Sequence, residues 1–136
     1  MTSAKSSKKK SPQMKASLVQ NPNEMPQPND LEGYVRRGWA FHSRSQEDKA
    51  EADFLRALSL DPESVDVQYA LGLVYKAQGK VEQAIQAFKK TIDLLEAGKI
   101  EDRARHEMLH RLAFGHVNEL STGDWNLEDQ IWQRRS

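Results

Sequence analysis

Val65 to Leu94, VDVQYALGLVYKAQGKVEQAIQAFKKTIDL, reads as two amphipathic helices folded back on one another across Gly79-Lys80. Leu71, Gly72 and Tyr75 fall at the i, i+1, i+4 spacing of one helix, and Ala84, Phe88 and Ile92 at the i, i+4, i+8 spacing of a second. Gly72 and Ala84 are small, which lets the two backbones approach closely while Leu71, Tyr75 and Phe88 fill the remaining volume.

A shift of 34 residues sets Gly38 on Gly72, Phe41 on Tyr75, Ala50 on Ala84, Phe54 on Phe88 and Leu60 on Leu94. That period, with a small residue and an aromatic in each helix, is the signature of a stacked helix-turn-helix repeat. On these residues the chain resembles the tetratricopeptide-repeat (TPR) family. The second unit supplies Leu71, Gly72, Tyr75, Gly79, Ala84 and Phe88, and the first supplies Tyr34, Gly38, Phe41, Ala50, Phe54, Ala57 and Pro62. Gln68, Thr91 and Arg37 depart from the family pattern. Arg37, where a stacking Leu belongs, suggests a helix with no repeat in front of it, as in a polar terminal cap.

Working outward, residues 1–30 are rich in Ser, Lys, Asn and Pro without a sustained period, so a disordered arm is expected there. Lys8-Lys9-Lys10 reads as part of a solvated tail. Asn29 or Asp30 is expected to cap a helix from Leu31 to about Ser43, Ser45 a second to Leu60, and Ser64 a third from Val65 that Gly79 closes. A fourth helix should run from about Lys80 to Leu95. In Asp102 to Leu120 the order Leu109, Leu112, Ala113, His116 repeats Gln68, Leu71, Gly72, Tyr75 at a shift of 41, which reads as the first helix of a degenerate third unit. Asp124 can cap a short last helix, Trp125 to Arg134. The expectation is therefore an all-α TPR-type solenoid over 31–136. Its repeats cover 31–64 and 65–98, and a degenerate third helical pair with a C-terminal cap covers 102–135.

The 136 residues are 38% hydrophobic and 7% aromatic, enough for one domain with a modest core. No apolar run approaches the roughly 18 residues of a membrane span, no secretory signal is legible, and a cytoplasmic location is expected. The lack of cysteine excludes disulfides, cysteine nucleophiles and thiolate metal sites. Residues 1–30 hold five Lys against Glu24 and Asp30, so with zero formal net charge the remainder is acidic, which argues against a nucleic-acid-binding body.

One motif competes with the repeat reading. His106-Glu107-Met108-Leu109-His110 is an H-E-x-x-H, with His116 at the spacing of a third zinc ligand, so His106 and His110 would bind zinc and Glu107 would activate water. Such a site needs Gly where Ala113 stands, to break the helix and turn the last His back. In a continuous helix His116 would point ~120° away from His110 and lie ~9 Å along the axis. The repeat reading instead places His116 at the aromatic place of Phe41 and Tyr75, and leaves His106 and His110 near the helix surface. No Gly-rich phosphate loop or G-x-S-x-G appears.

The family resemblance implies a concave groove lined by the first helix of each unit. By register its lining is Glu32, Val35, Trp39 and His42, then Asp66, Tyr69, Leu73 and Lys76, then Glu107, His110, Phe114 and Val117. The places that would hold a chaperone-tail carboxylate clamp carry Val35, Trp39, Ala70, Glu107 and Arg111, of which Arg111 alone fits. The expected function is a non-catalytic adaptor or scaffold that binds a peptide or helix of a protein partner. Neither cofactor, metal, small-molecule substrate nor nucleic acid is expected. The alternatives are a zinc-dependent hydrolase at 106–110 and a self-assembly module, a homo-oligomer in which another copy completes the third unit.

Overall fold

The computed structural model describes residues 21–125. After a 3-10 turn at Pro22–Glu24, five α-helices follow: α1 (Leu31–Ser43), α2 (Glu47–Leu60), α3 (Val65–Ala77), α4 (Val81–Glu96) and α5 (Arg103–Thr122). The described residues contain no strand, in line with the all-α expectation. The last helix expected over 125–134 lies, after Trp125, outside the described residues.

The helix ends follow from local hydrogen bonding. Asp30, Ser64 and Asp102 accept from the backbone N–H of Gly33, Val67 and Arg105 respectively, each satisfying a donor that the first turn leaves unpaired. Ser45 does not cap α2 as the sequence suggests. It is the left-handed residue that closes α1, at φ 61°, with its N–H on the His42 carbonyl and the Gln46 N–H on the Phe41 carbonyl. Gly79 and Gly98 close α3 and α4 by the same pair of bonds.

The helices stack as antiparallel hairpins, α1 on α2 and α3 on α4, with α2 also packed on α3 and α4 on α5. Each hairpin is set by one contact. A Cβ on Gly38 would lie 2.8 Å from Phe54 Cε1, and one on Gly72 would lie 2.5 Å from Phe88 Cε1. Phe54 and Phe88 are fully buried, each worth roughly 2–3 kcal/mol in apolar transfer. Around Phe54 the core gathers Phe41, Ala50, Ala57, Val67, Ala70, Leu71 and Val74.

The third unit keeps this logic in a different register. Around Phe88, α5 supplies Ala113, with Phe114, Val117 and Leu120 partly buried beside it. These stand 43 residues after Ala70, Leu71, Val74 and Ala77. The same shift sets Gly115 on Gly72, and a Cβ on Gly115 would run into the Trp125 ring. The shift of 41 that places Ala113 on Gly72 is therefore corrected to 43. The chain between the units is two residues longer, and Phe114-Gly115 is the counterpart of Leu71-Gly72.

At the other end, residues 21–30, part of the arm expected to be disordered, lie against the first hairpin. Pro22 is fully buried, Asn23 bonds Gln46 at 3.1 Å and Lys49 at 2.6 Å, and Gln27 bonds the Tyr34 hydroxyl at 3.3 Å. Arg37 is not a simple solvent-facing charge. Its Nε and Nη2 each donate at 2.8 Å to the Asp53 carboxylate, whose side chain is 5% exposed, and this pairing raises the Arg37 pKa above its ordinary value. By the 34-residue period this pair stands where unit two has Leu71 and Ala87.

Two outcomes follow for stability. Arg37→Leu alone should cost about 3 kcal/mol, because it strands a buried carboxylate, whereas Arg37→Leu with Asp53→Ala, which installs the pair of unit two, should recover most of that loss in chemical denaturation. Equal damage from the single and double variants would show that the ion pair is not what holds that place. Ser45→Gly, which relieves a left-handed conformation at some cost in unfolded-chain entropy, should stabilise by roughly 0.5–1 kcal/mol and raise the melting temperature by a few degrees.

Candidate functional site

The residues expected to line a binding face divide into two groups. On α1, Val35 is half-buried at the edge of the first core cluster, and Trp39 keeps 37% of its surface exposed. The Trp39 ring meets Phe54 edge-on at 5.3 Å and His42 at 5.9 Å, so it is held by the hairpin core while its outer face remains open. His42 Nδ1 lies 2.7 Å from Glu47 at the start of α2. On α3, Tyr69, Leu73 and Lys76 are half-buried, and the first two border the cluster around Phe88.

The α5 residues behave differently from expectation. His110 is 6% exposed rather than near the surface, with Nε2 3.2 Å from Glu96 of α4 and its ring 4.6 Å from Phe114. Phe114 and Val117 join the cluster of Ala84, Phe88 and Ile92. In the corrected register the three occupy the places of Val67, Leu71 and Val74, which stack on the preceding unit. The α5 residues that stand with Leu73 and Lys76 are His116 and Glu119, 43 residues on.

Neither was picked out as standing in this row, and the signal that would have found them is the Leu-Gly-like dipeptide Phe114-Gly115; Glu119 is half-buried, whereas His116 is 8% exposed. His116 stacks on Phe88 at 4.5 Å and meets Trp125 edge-on at 4.8 Å. Its Nε2 lies 3.2 Å from the Tyr69 hydroxyl and its Nδ1 3.2 Å from Lys76 Nζ, while Lys76 also reaches Glu119 at 2.5 Å. The Lys76 ammonium can only donate, so Nδ1 accepts and the ring is the neutral Nε2–H tautomer, donating to Tyr69. A small polar network thus ties α3 to α5 on the face that Trp39 shares along α1.

The H-E-x-x-H residues do not converge on a common point with His116. α5 runs unbroken from Arg103 to Thr122 through Ala113. The His106 and His110 rings stack at 5.7 Å, His110 is turned to Glu96, and His116 is engaged with Tyr69 and Lys76. Among the described residues no group of three or more His, Cys, Asp or Glu could hold a metal ion. Nor is any helix among them long and apolar enough to cross a membrane.

Comparison with known proteins bears on the same helices. A family model described as TPR repeat matches residues 38–79, and one described as tetratricopeptide repeat matches residues 65–94. The small glutamine-rich tetratricopeptide repeat-containing protein 2 of Saccharomyces cerevisiae is 38% identical over 61 residues, which cover 45% of this chain and 18% of that protein.

The His116 network has a measurable signature. Burial, and then the Lys76 charge, push its pKa down from 6.5 to about 4, against the smaller opposing pull of Glu119. The unfolded chain binds this proton more readily than the folded one, so stability falls as pH drops from about 6.5 toward 4. Urea melts at pH 7 and pH 5 should show a steeper loss for the native chain than for His116→Phe, which keeps the ring stack and cannot titrate. Parallel losses would mean that His116 is not held neutral.

Proposed function

Because the chain belongs to the tetratricopeptide-repeat family, as two repeat models and a repeat-containing relative indicate, we propose that it is a non-catalytic adaptor that binds a protein segment across the face formed by α1, α3 and α5. A role in protein interaction follows from the family. The proposal adds where and how. Val35, Trp39 and His42 form one end of the site, Tyr69, Leu73 and Lys76 its middle, and Glu119, beside the buried His116, the far end in place of His110, Phe114 and Val117.

The observation that carries this reading is Trp39. A Trp braced by Phe54 and His42, yet 37% exposed, presents a rigid apolar surface at low entropic cost, and aromatic anchors of this kind dominate binding energy. Lys76 is already neutralised by Glu119, so the middle of the face offers little net charge. The partner should therefore be an extended or helical segment with aliphatic or aromatic anchors, bound with modest salt dependence. The cytoplasmic location expected from the sequence belongs to the same proposal.

A displayed peptide library selected on the full chain tests it. Selected peptides should carry a large apolar anchor, and binding should weaken at least about tenfold with Trp39→Ala while Leu60→Ala, an exposed apolar change elsewhere, leaves it intact. Peptides that bind the native chain and Trp39→Ala equally would overturn the site assignment.

A further inference from the structure

The carboxylate that opens α2 returns to the last turn of α1. Ser45 closes α1 in its left-handed conformation, and Glu47, in the first turn of α2, then brings its Oε1 to 2.7 Å from His42 Nδ1. His42 keeps 26% of its side-chain surface exposed and Glu47 15%. At neutral pH a carboxylate is ionised and can only accept, so Nδ1 carries the proton and the neutral ring leaves Nε2 as a lone-pair acceptor. Among the described residues nothing bonds Nε2, and the atom is not buried. This is the reverse of His116, which carries its proton on Nε2 and donates it to Tyr69. Lys76 and Glu119, which stand in the place of His42 in units two and three, bond each other. His42 therefore carries a directional polar atom at the end of the face where Trp39 is open.

We propose that His42 is the specificity-determining residue of this face: its Nε2 accepts a hydrogen bond from a donor side chain of the partner, next to the apolar anchor seated on Trp39. Glu47 is the positioning residue, since its carboxylate fixes which ring nitrogen bears the proton. The inference rests on the binding face proposed above and adds the chemistry of the group beside the anchor. The Trp39 and His42 ring centroids lie 5.9 Å apart. Side chains two residues apart in an extended segment share one face at roughly 6.6 Å, and those three or four apart on a helix stand roughly 5–6 Å apart, so either segment can present an anchor and a donor at this spacing. The donor is a hydroxyl, an amide or a cationic nitrogen. A carboxylate in its place would meet the Nε2 lone pair, with the Glu47 charge behind the same ring, and is disfavoured.

The tautomer can be read without any partner. In 15N NMR of the full chain at pH 8, with His42→Phe assigning the signals, His42 Nε2 should resonate downfield as an unprotonated ring nitrogen and Nδ1 upfield as an N–H. The opposite pattern, or an average of the two tautomers, would overturn the proposal. The partner chemistry is read from the displayed library. Peptides selected on the native chain should combine the apolar anchor with a side-chain donor at a fixed offset, and should bind the His42→Phe, Glu47→Gln variant roughly three- to tenfold more weakly. That variant keeps an aromatic edge beside Trp39 and strands no carboxylate, and a selection repeated on it should retain the anchor and lose the donor. A merely structural role for His42 would weaken all anchored peptides alike. Anchored peptides that depend on Trp39 but show no donor preference, or the same donor preference on the variant, would overturn this inference and leave the face standing. Peptides that ignore Trp39→Ala would overturn the face and this inference with it.

Discussion

The structure depends on two absent side chains. Gly38 and Gly72 let Phe54 and Phe88 lie directly on the facing helix backbone, at separations no Cβ could share. That contact fixes how closely the two helices of a hairpin approach, and the approach fixes which residues the first helix turns outward. Trp39 follows Gly38 and Leu73 follows Gly72, so both side chains inherit their placement from the closest backbone contact in each unit. A larger residue at either glycine would alter more than core volume, because interiors packed at crystal-like density transmit the displacement to the surface.

Repetition creates a second problem, which is how a stack begins. Inside the stack, Leu71 and Ala87 belong to the apolar cluster between the units. In the first unit the same places carry Arg37 and Asp53, joined by two hydrogen bonds and covered in part by the segment around Gln27. A buried ion pair rarely stabilises more than the apolar pair it replaces. It makes this place in the first described unit more polar than the Leu71 and Ala87 place of the second. Arg37 also lies over the Phe41 ring at 5.6 Å, so its stem and guanidinium cover core surface while its charge is neutralised.

The degree to which the sequence reveals all this differs by level. Element type, the two hairpins, the Ser64 cap and the Gly79 stop are legible because each depends on local chemistry at a fixed offset. Ser45 misled because Ser is an ordinary cap residue, and only the backbone bonds of Phe41 and His42 distinguish a closing left-handed residue from an opening one. Residues 21–30 misled because a Pro-rich composition does not reveal that Pro22 has a burial site and that Gln27 has two partners. The register of α5 misled for a third reason. Hydrophobic periodicity scores alignments two residues apart almost alike, whereas only one of them sets Gly115 on Gly72, the two glycines each lying beneath an aromatic ring.

That two-residue correction changes the chemistry of the far end of the face. Under the shift of 41, His116 would replace a core aromatic and Phe114 would be offered to a ligand. Under the shift of 43, Phe114 takes the place of Leu71 and His116 the place of Leu73, where it is buried, stacked on Phe88 and bonded to Tyr69 and Lys76. An imidazole serves this place better than a phenyl ring would, because it can stack on one side and accept from a lysine on its edge. The Lys76 charge then has two acceptors, His116 and Glu119, and is not left to seek an anionic ligand. The departure from the repeat pattern at the third unit thus has a physical consequence. It joins α3 to α5 through directional bonds rather than apolar volume alone, whereas α1 and α3 meet in the apolar cluster of Tyr34, Phe41, Val67, Leu71 and Val74.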